Sequence, residues 1–347
     1  MTDDSSEAIA LVVVTHQSAE HLPALVAALA GQLQEHDELV IVDNASSDGT
    51  PALARSLSER VTVIENRANL GFAGGCHVGA DVTHAPLLLF LNPDSLPEPG
   101  CLARLREAAG AHPDWGAWQA AVLLPDGGIN SNGGVVHFLG IGWAGGCGRP
   151  LSALPAGDCE VGFPSGAALV IRRQAWTQLG GFDRAYFMYG EDLDLGLRLW
   201  LAGYRVGLVP DARVTHSYEF DKGRSKWFWL ERNRWRTVLS VYPTGLLVLV
   251  APVLIAAEVG LLAVAAHQGW LGAKLRAELA TVAGLPRTLA RRRTVQASRR
   301  LRAGEFAAHL SCSLDSPYLA GASSPLASAP QSAWWWLVRR VLSVPAR

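Results

Sequence analysis

A regular alternation of short apolar runs with helix-forming segments through the first third of the chain constrains its fold most. Ile9–Thr15 (IALVVVT) is short, β-branched and bounded by polar residues, and reads as a buried strand. Residues 20–31 follow as a helix. Leu39–Asp43 (LVIVD) is a second strand, and Ser47-Asp48-Gly49-Thr50-Pro51 opens a helix with capping residues and an early proline. Val61–Glu65 is a third strand and Pro86–Leu91 (PLLLFL) a fourth, with a Pro-flanked helix near 99–110. Such βαβ units predict an α/β domain: a mostly parallel sheet with helices flanking both faces.

After residue 115 the regularity fades. The Gly-rich stretch GGINSNGG and then GIGWAGGCG predicts hairpins and loops near the mouth of a site. Gly166–Arg172 is a further strand, 191–202 a helix with Leu193, Leu197 and Leu201 on one face, and Arg205–Val209 a short strand ahead of His216. Residues 223–240 pattern as an aromatic and basic amphipathic helix.

Composition then changes abruptly. Gly245–Ala266 is 22 residues with a single charge, Glu258, and a single proline, Pro252. The length suits a membrane span, whereas a mid-segment carboxylate is costly in lipid unless it is paired. A re-entrant or in-plane hairpin, or a helix packed on the catalytic domain, stays open. From residue 271 onward 12 Lys and Arg face 3 acids, against 18 and 28 before it, so a net charge of −1 hides two oppositely charged regions. The mean hydropathy of +0.17 is high for a purely soluble enzyme. An Arg-rich amphipathic stretch beside Trp-rich apolar segments suits anionic lipid better than nucleic acid. The expected division is a catalytic domain over 1–240, a membrane-associated helical region over 241–310, and a loosely ordered tail over 311–347 with a WWW segment. Five cysteines without CxxC spacing predict free thiols. The acidic N-terminus lacks a secretory n-region, so the expected location is the cytoplasmic face of the membrane.

Four clusters fall at the ends of expected strands, where open α/β sheets bind ligands. Thr15-His16-Gln17-Ser18 follows the first. Asp43-Asn44-Ala45-Ser46 follows the second, and its acid either meets a base or ribose or caps a turn. Asn69-Leu70-Gly71-Phe72-Ala73-Gly74-Gly75-Cys76-His77-Val78-Gly79 is either a close backbone approach to a ligand or a helix–sheet packing site. Asn92-Pro93-Asp94 offers a carboxylate to a divalent cation, or a cap in a proline turn. Glu191-Asp192-Leu193-Asp194 sets three acids in a helix's first turn, favourable for the dipole and suitable for a general base.

Taken in order, VVVTHQS, VDNASSDGT, NLGFAGGCHVGA, LNPD, PSGAALVIRR, GGFDRAYFMYGEDLDLGLRLWLAGY and VTHS resemble glycosyltransferase family 2, of the GT-A fold, and its bacterial rhamnosyltransferase-like branch. The resemblance covers about residues 8–240. It implies an inverting, metal-dependent transfer from a nucleotide-sugar, dTDP-rhamnose or a UDP-sugar, to a glycan or lipid-linked glycan hydroxyl. It further implies that Thr15, Asp43, Asn69, Gly71, Phe72 and Asn92 line the nucleotide-sugar pocket. Asp94 and His216 would hold Mg²⁺ or Mn²⁺, Asp192 would be the base, and Glu191 would help position the acceptor. Asn92 departs from the family's first Asp of DxD, and His16-Gln17 and Cys76-His77 stand where Tyr-Asn and Asn-Asn are usual. A dinucleotide-binding protein would want GxGxxG after the first strand, and a nucleotidyltransferase a basic Gly-rich loop there; THQS is neither. An inactive nucleotide-binding or scaffold subunit of a polysaccharide assembly system is the remaining alternative. It expects loss of the acids, yet Asp43, Asp94 and Asp192 are all present.

Overall fold

The computed structural model describes residues 8–217, 223, 225–314 and 325–343. The acidic N-terminal heptapeptide and the stretch 315–324 lie outside these residues. The chain divides into two compact units, one of Met1–Gly134, Ala144–Leu195 and Tyr204–Tyr218, the other of Val135–Trp143, Gly196–Gly203 and Glu219–Arg347.

In chain order the elements begin with β1 (Ile9–Thr15), α1 (Leu22–Ala30), β2 (Glu38–Asp43), α2 (Thr50–Leu57), β3 (Val61–Glu65), α3 (Gly71–Asp81) and β4 (Leu87–Leu91). They continue with β5 (Ser95–Pro97), α4 (Cys101–Ala111), β6 (Trp115–Leu123), β7 (Ile129–Ser131), β8 (Gly134–Val136), β9 (Gly142–Ala144) and β10 (Cys159–Glu160). Next come β11 (Ala168–Arg172), α5 (Arg173–Leu179), α6 (Glu191–Leu201) and β12 (Arg205–His216). Helices finish the chain: α7 (Ser225–Val241), α8 (Thr244–His267), α9 (Leu271–Ala297), α10 (Ala303–Ala307) and α11 (Pro325–Val341).

The first unit is a mixed sheet in the order β10-β12-β6-β11-β4-β1-β2-β3. The half β4-β1-β2-β3 is parallel throughout, as the βαβ alternation requires. Strand β11 enters antiparallel between β4 and β6, and β12 resumes parallel pairing on β6. Every residue of β1, β4 and β6 is buried, so the sheet's interior strands are covered on both faces.

The Gly-rich stretch after β3 is α3, a helix laid on that sheet. A Cβ at Gly75 would come within 2.5 Å of a Val14 methyl, and one at Gly79 within 2.3 Å of a Val12 methyl. Those two glycines serve helix–sheet packing, and only the helix's first residues remain near the strand ends. Helix α6 is buried on nearly every side rather than on the one leucine face. Strand β12 runs well past the expected Val209, through Pro210 and Asp211 to His216, with a register shift between Val209 and Arg213.

In the second unit α7 lies along α9, and α8 packs on α9, α10 and α11. Phe138 stacks on Trp335 of α11, with ring centroids 4.7 Å apart. His137 accepts from Leu139 N–H at Nδ1, leaving its Nε2–H to donate to Cys312 O. All five cysteines are free thiols.

Candidate active site

Three groups of side chains gather at the C-terminal ends of the parallel strands. At the ends of β1 and β2, Thr15 and Asp43 are both buried, and Thr15 Oγ1 donates to Asp43 Oδ1 at 3.1 Å. Asp43 Oδ2 accepts from Ser46 N–H at 2.8 Å, so this carboxylate shapes the turn that follows β2. Gln17 and Ala45, one just past each strand, hold left-handed backbone with φ of 54° and 58°. Such strain in non-glycine residues collects where a loop is built for a task. Asn44, absent from the expected site residues, ties these turns to α3. Its Nδ2 donates to Gly71 O at 3.0 Å and its Oδ1 accepts from Asn66 Nδ2 at 2.9 Å.

Asn69 is exposed, and its Oδ1 accepts from Gly71 N–H at 2.8 Å to start α3. Gly71 has φ of +71°, and a Cβ there would sit 2.3 Å from Phe187 O, so both conformation and space demand glycine. Phe72 packs toward Phe182, with ring centroids 5.8 Å apart, and its ring edge neighbours Gly166.

The second group is made by strand pairing. The short β5 lies antiparallel to the end of β12, with His216 opposite Ser95. His216 Nε2 is thereby 3.1 Å from Asp94 Oδ1 and 3.5 Å from Asn92 Nδ2. Both members of the close pair are shielded, with side-chain exposures of 5% for His216 and 15% for Asp94. A carboxylate oxygen and an imidazole nitrogen this close together are a donor set that would fit a small divalent cation such as Mg²⁺ or Mn²⁺.

The third group opens α6. Asp192 is partly exposed, with Oδ2 accepting from Gly166 N–H at 3.1 Å and Oδ1 from Leu193 N–H at 2.7 Å. Glu191 is buried, and its Oε2 meets no hydrogen-bond partner among the described residues. Burial pushes the Glu191 carboxyl well above the usual range, and the neighbouring Asp192 charge adds to it. Burial also raises Asp192, against the two backbone N–H groups that favour its anion. Asp194 is fully buried and accepts from the Tyr186 hydroxyl at 3.0 Å, a structural tie.

Asn92 N–H donates to Ala167 O, beside the Gly166 amide that holds Asp192. One strand junction therefore joins the Asn92–Asp94–His216 group to Asp192. Asp192 and the Asp94–His216 pair sit on separate elements with a continuous backbone link between them. A mixed sheet of this order, with polar groups gathered at its strand ends, has a GT-A-like architecture.

Family models agree. The glycosyl transferase family 2 model matches residues 10–127 and the glycosyl transferase family group 2 model residues 87–271. The chain belongs to glycosyl transferase family 2. It is 31% identical over 247 residues to an N-acetylglucosaminyl-diphospho-decaprenol L-rhamnosyltransferase of Mycobacterium tuberculosis, covering 63% of this chain and 79% of the relative. It is 40% identical over 78 residues to the rhamnosyltransferase WbbL of Escherichia coli K12, covering 22% of this chain and 28% of that protein. Among solved structures it resembles the crystal structure of GalNAc-T7 with UDP, GalNAc and Mn²⁺, with a TM-score of 0.59 and 17% identity. That match covers 70% of this chain and 49% of the other, about half its length.

Proposed function

We propose that this enzyme is an inverting rhamnosyltransferase moving rhamnose from a nucleotide-activated donor to a hydroxyl of a lipid-linked sugar, at the cytoplasmic face of a membrane. The observation that carries the reading is the pairing of Asp94 with His216 at 3.1 Å, alongside the partly exposed Asp192 on a separate element. The rhamnosyl donor and the lipid-linked acceptor are suggested by the Mycobacterium relative, whose name describes that chemistry.

In this reading Asp94 and His216 would hold a divalent cation, which would supply positive charge to the diphosphate side of the donor. Asn92 and the tightly turned Gly71 and Phe72 border the donor, with Asn69 fixing the turn. Thr15 and Asp43 line the nucleotide's end through the loop they brace. Asp192 takes the proton of the acceptor hydroxyl as that oxygen bonds to the anomeric carbon and the carbon–oxygen bond to the diphosphate breaks. The nucleoside diphosphate leaves with the electron pair of the broken bond, and the proton rests on Asp192. Two backbone N–H groups already orient this carboxylate, and its raised proton affinity favours accepting that proton. Glu191 lies buried behind it and sets the position of the acceptor side.

The test is transfer by the full chain from dTDP-rhamnose, with UDP-sugars in parallel, to a polyprenyl-diphospho-N-acetylglucosamine acceptor. EDTA removes transfer and Mn²⁺ or Mg²⁺ restores it; Asp94→Ala loses the metal-dependent increment of donor binding. Donor binding without transfer to any acceptor would instead favour an inactive subunit.

A further inference from the structure

Helix α8 is 24 residues of almost continuous apolar sequence, long enough to cross a bilayer. Its Glu258 is answered from two other helices: Arg234 of α7 and Lys274 of α9 both contact this carboxylate. The same two cations also bind Glu231 of α7, and Lys274 Nζ lies 2.7 Å from Glu278 Oε1. Glu231, Glu258 and Glu278 could together hold a metal ion by geometry, but the Lys274 ammonium already stands among them with no exposed surface.

This network sets what α8 can do. Glu258 lies nine residues before the end of the helix, about 14 Å along its axis. Were α8 to span the hydrocarbon, its partners Arg234, Glu231, Lys274 and Glu278 would be drawn toward the bilayer centre with it. Helices α7 and α9 would follow, and α9 carries the run Arg291-Arg292-Arg293. Charged groups are strongly disfavoured at that depth.

The outward faces are nevertheless apolar. On α8, Ile255 and Val259 are 67% and 68% exposed, opposite the buried Leu246, Val250 and Leu254. On α9 the buried residues are Ala273, Lys274, Ala277, Thr288 and Val295. Leu275, Leu279, Val282 and Leu289 recur at intervals of 4, 3 and 7 and project to the opposite side, with Leu279 at 71% and Val282 at 69% exposure. An apolar stripe at the centre of a helix's outward face is the reverse of what water favours. The exposed Arg276 and Arg287 flank that stripe on α9, and no acid lies beside them on the same flank.

We infer that α8 and α9 lie in the plane of an anionic bilayer, their outward apolar faces sunk into the headgroup–acyl boundary, and that α8 does not cross it. Arg276 and Arg287 meet lipid phosphate at the edge of the stripe. Arg234 and Lys274 pin α8 to α7 and α9 from the protein side, so Glu258 stays out of the hydrocarbon. This deepens the proposed action on a lipid-linked acceptor by stating how the chain reaches the membrane.

The experiment floats the full chain with vesicles of phosphatidylcholine alone, or with about one third phosphatidylglycerol, without donor or acceptor. The expected result is binding to the anionic vesicles, release by alkaline carbonate, and a vesicle-bound partition about tenfold lower for Leu279→Glu or Ile255→Glu. Thermal melting of each variant confirms that it is folded, and a variant that fails to fold yields to the other. Retention through carbonate with release only by detergent would overturn the proposal in favour of a span. Absence of vesicle binding, with an oligomer that Leu279→Glu dissociates, would assign the face to a second copy of the chain and likewise overturn it. Neither result bears on sugar transfer, and failure of transfer leaves the vesicle result standing.

Discussion

Two triads of acids, one in each unit, show how the same side chain is put to opposite uses. Glu191, Asp192 and Asp194 open α6, where burial raises the proton affinity of the first two and the neighbouring carboxylates add to it at Glu191. Glu231, Glu258 and Glu278 come from three helices and surround Lys274, with Arg234 beside them. Burial works to raise the Glu231 carboxyl, but the charges of Arg234 and Lys274 override it and hold Glu231 below its ordinary range. The first triad keeps an acid able to accept a proton; the second gives its charge to holding helices together.

The largest stability effect should come from breaking the second triad. Lys274→Ala leaves three carboxylates facing each other around a buried gap, and the expected loss is about 3–5 kcal/mol, read as a fall in the denaturant midpoint. Lys274→Met, apolar and of similar length, removes the same charge, leaves Arg234 beside Glu231 and Glu258, and should be no rescue. Recovery by Met would mean that packing rather than charge holds the helices.

A smaller effect with a distinctive pH signature separates the triads. Glu191 has a folded-state pKa above its unfolded value of 4.5, so both states are protonated at low pH and its contribution is lost as pH rises through and above 4.5. Glu231 has its pKa depressed from the same 4.5, so its contribution is present above that value and lost as pH falls below it. Glu191→Gln should therefore gain in melting temperature relative to the parent as pH rises from 4.5 to 8. Glu231→Gln should lose most at neutral pH and converge on the parent in acid. Parallel melting-temperature profiles for both variants would break the contrast.

Much of the first unit was legible because its strands are short, β-branched and largely buried on both faces. Ile9–Thr15 and Val61–Glu65 have the same bounds in sequence and structure. Strand β6 was not legible: Trp115–Leu123 carries Gly116, Gln119 and three alanines where β-formers would signal a strand. Its buried Gln119 donates to Ala120 O at 2.9 Å, but its side-chain oxygen is answered by distant chain, accepting from Ser165 N–H at 2.7 Å. The end of β12 was hidden by Pro210 and Asp211, which stop a strand in most contexts but here sit at a register shift.

The site followed the same logic. Acids at strand ends and helix starts could be picked out, but the meeting of Asp94 with His216 depends on β5, a three-residue strand with no sequence signature. Asn44 was invisible as a brace because its partners, Gly71 and Asn66, lie on a different loop. Glu258 posed its question openly, as a lone charge in an apolar run. The answer needed two cations from two other helices, which periodicity does not report.

The account rests most heavily on Asp192 as the proton acceptor, and Asp192→Asn tests it with nearly unchanged shape. Donor binding in the presence of Mn²⁺ and transfer to the acceptor are measured on the same preparation. The expected result is donor affinity like that of the parent, with transfer slower by about 10²–10⁴-fold. Transfer near the parent rate would contradict the assignment.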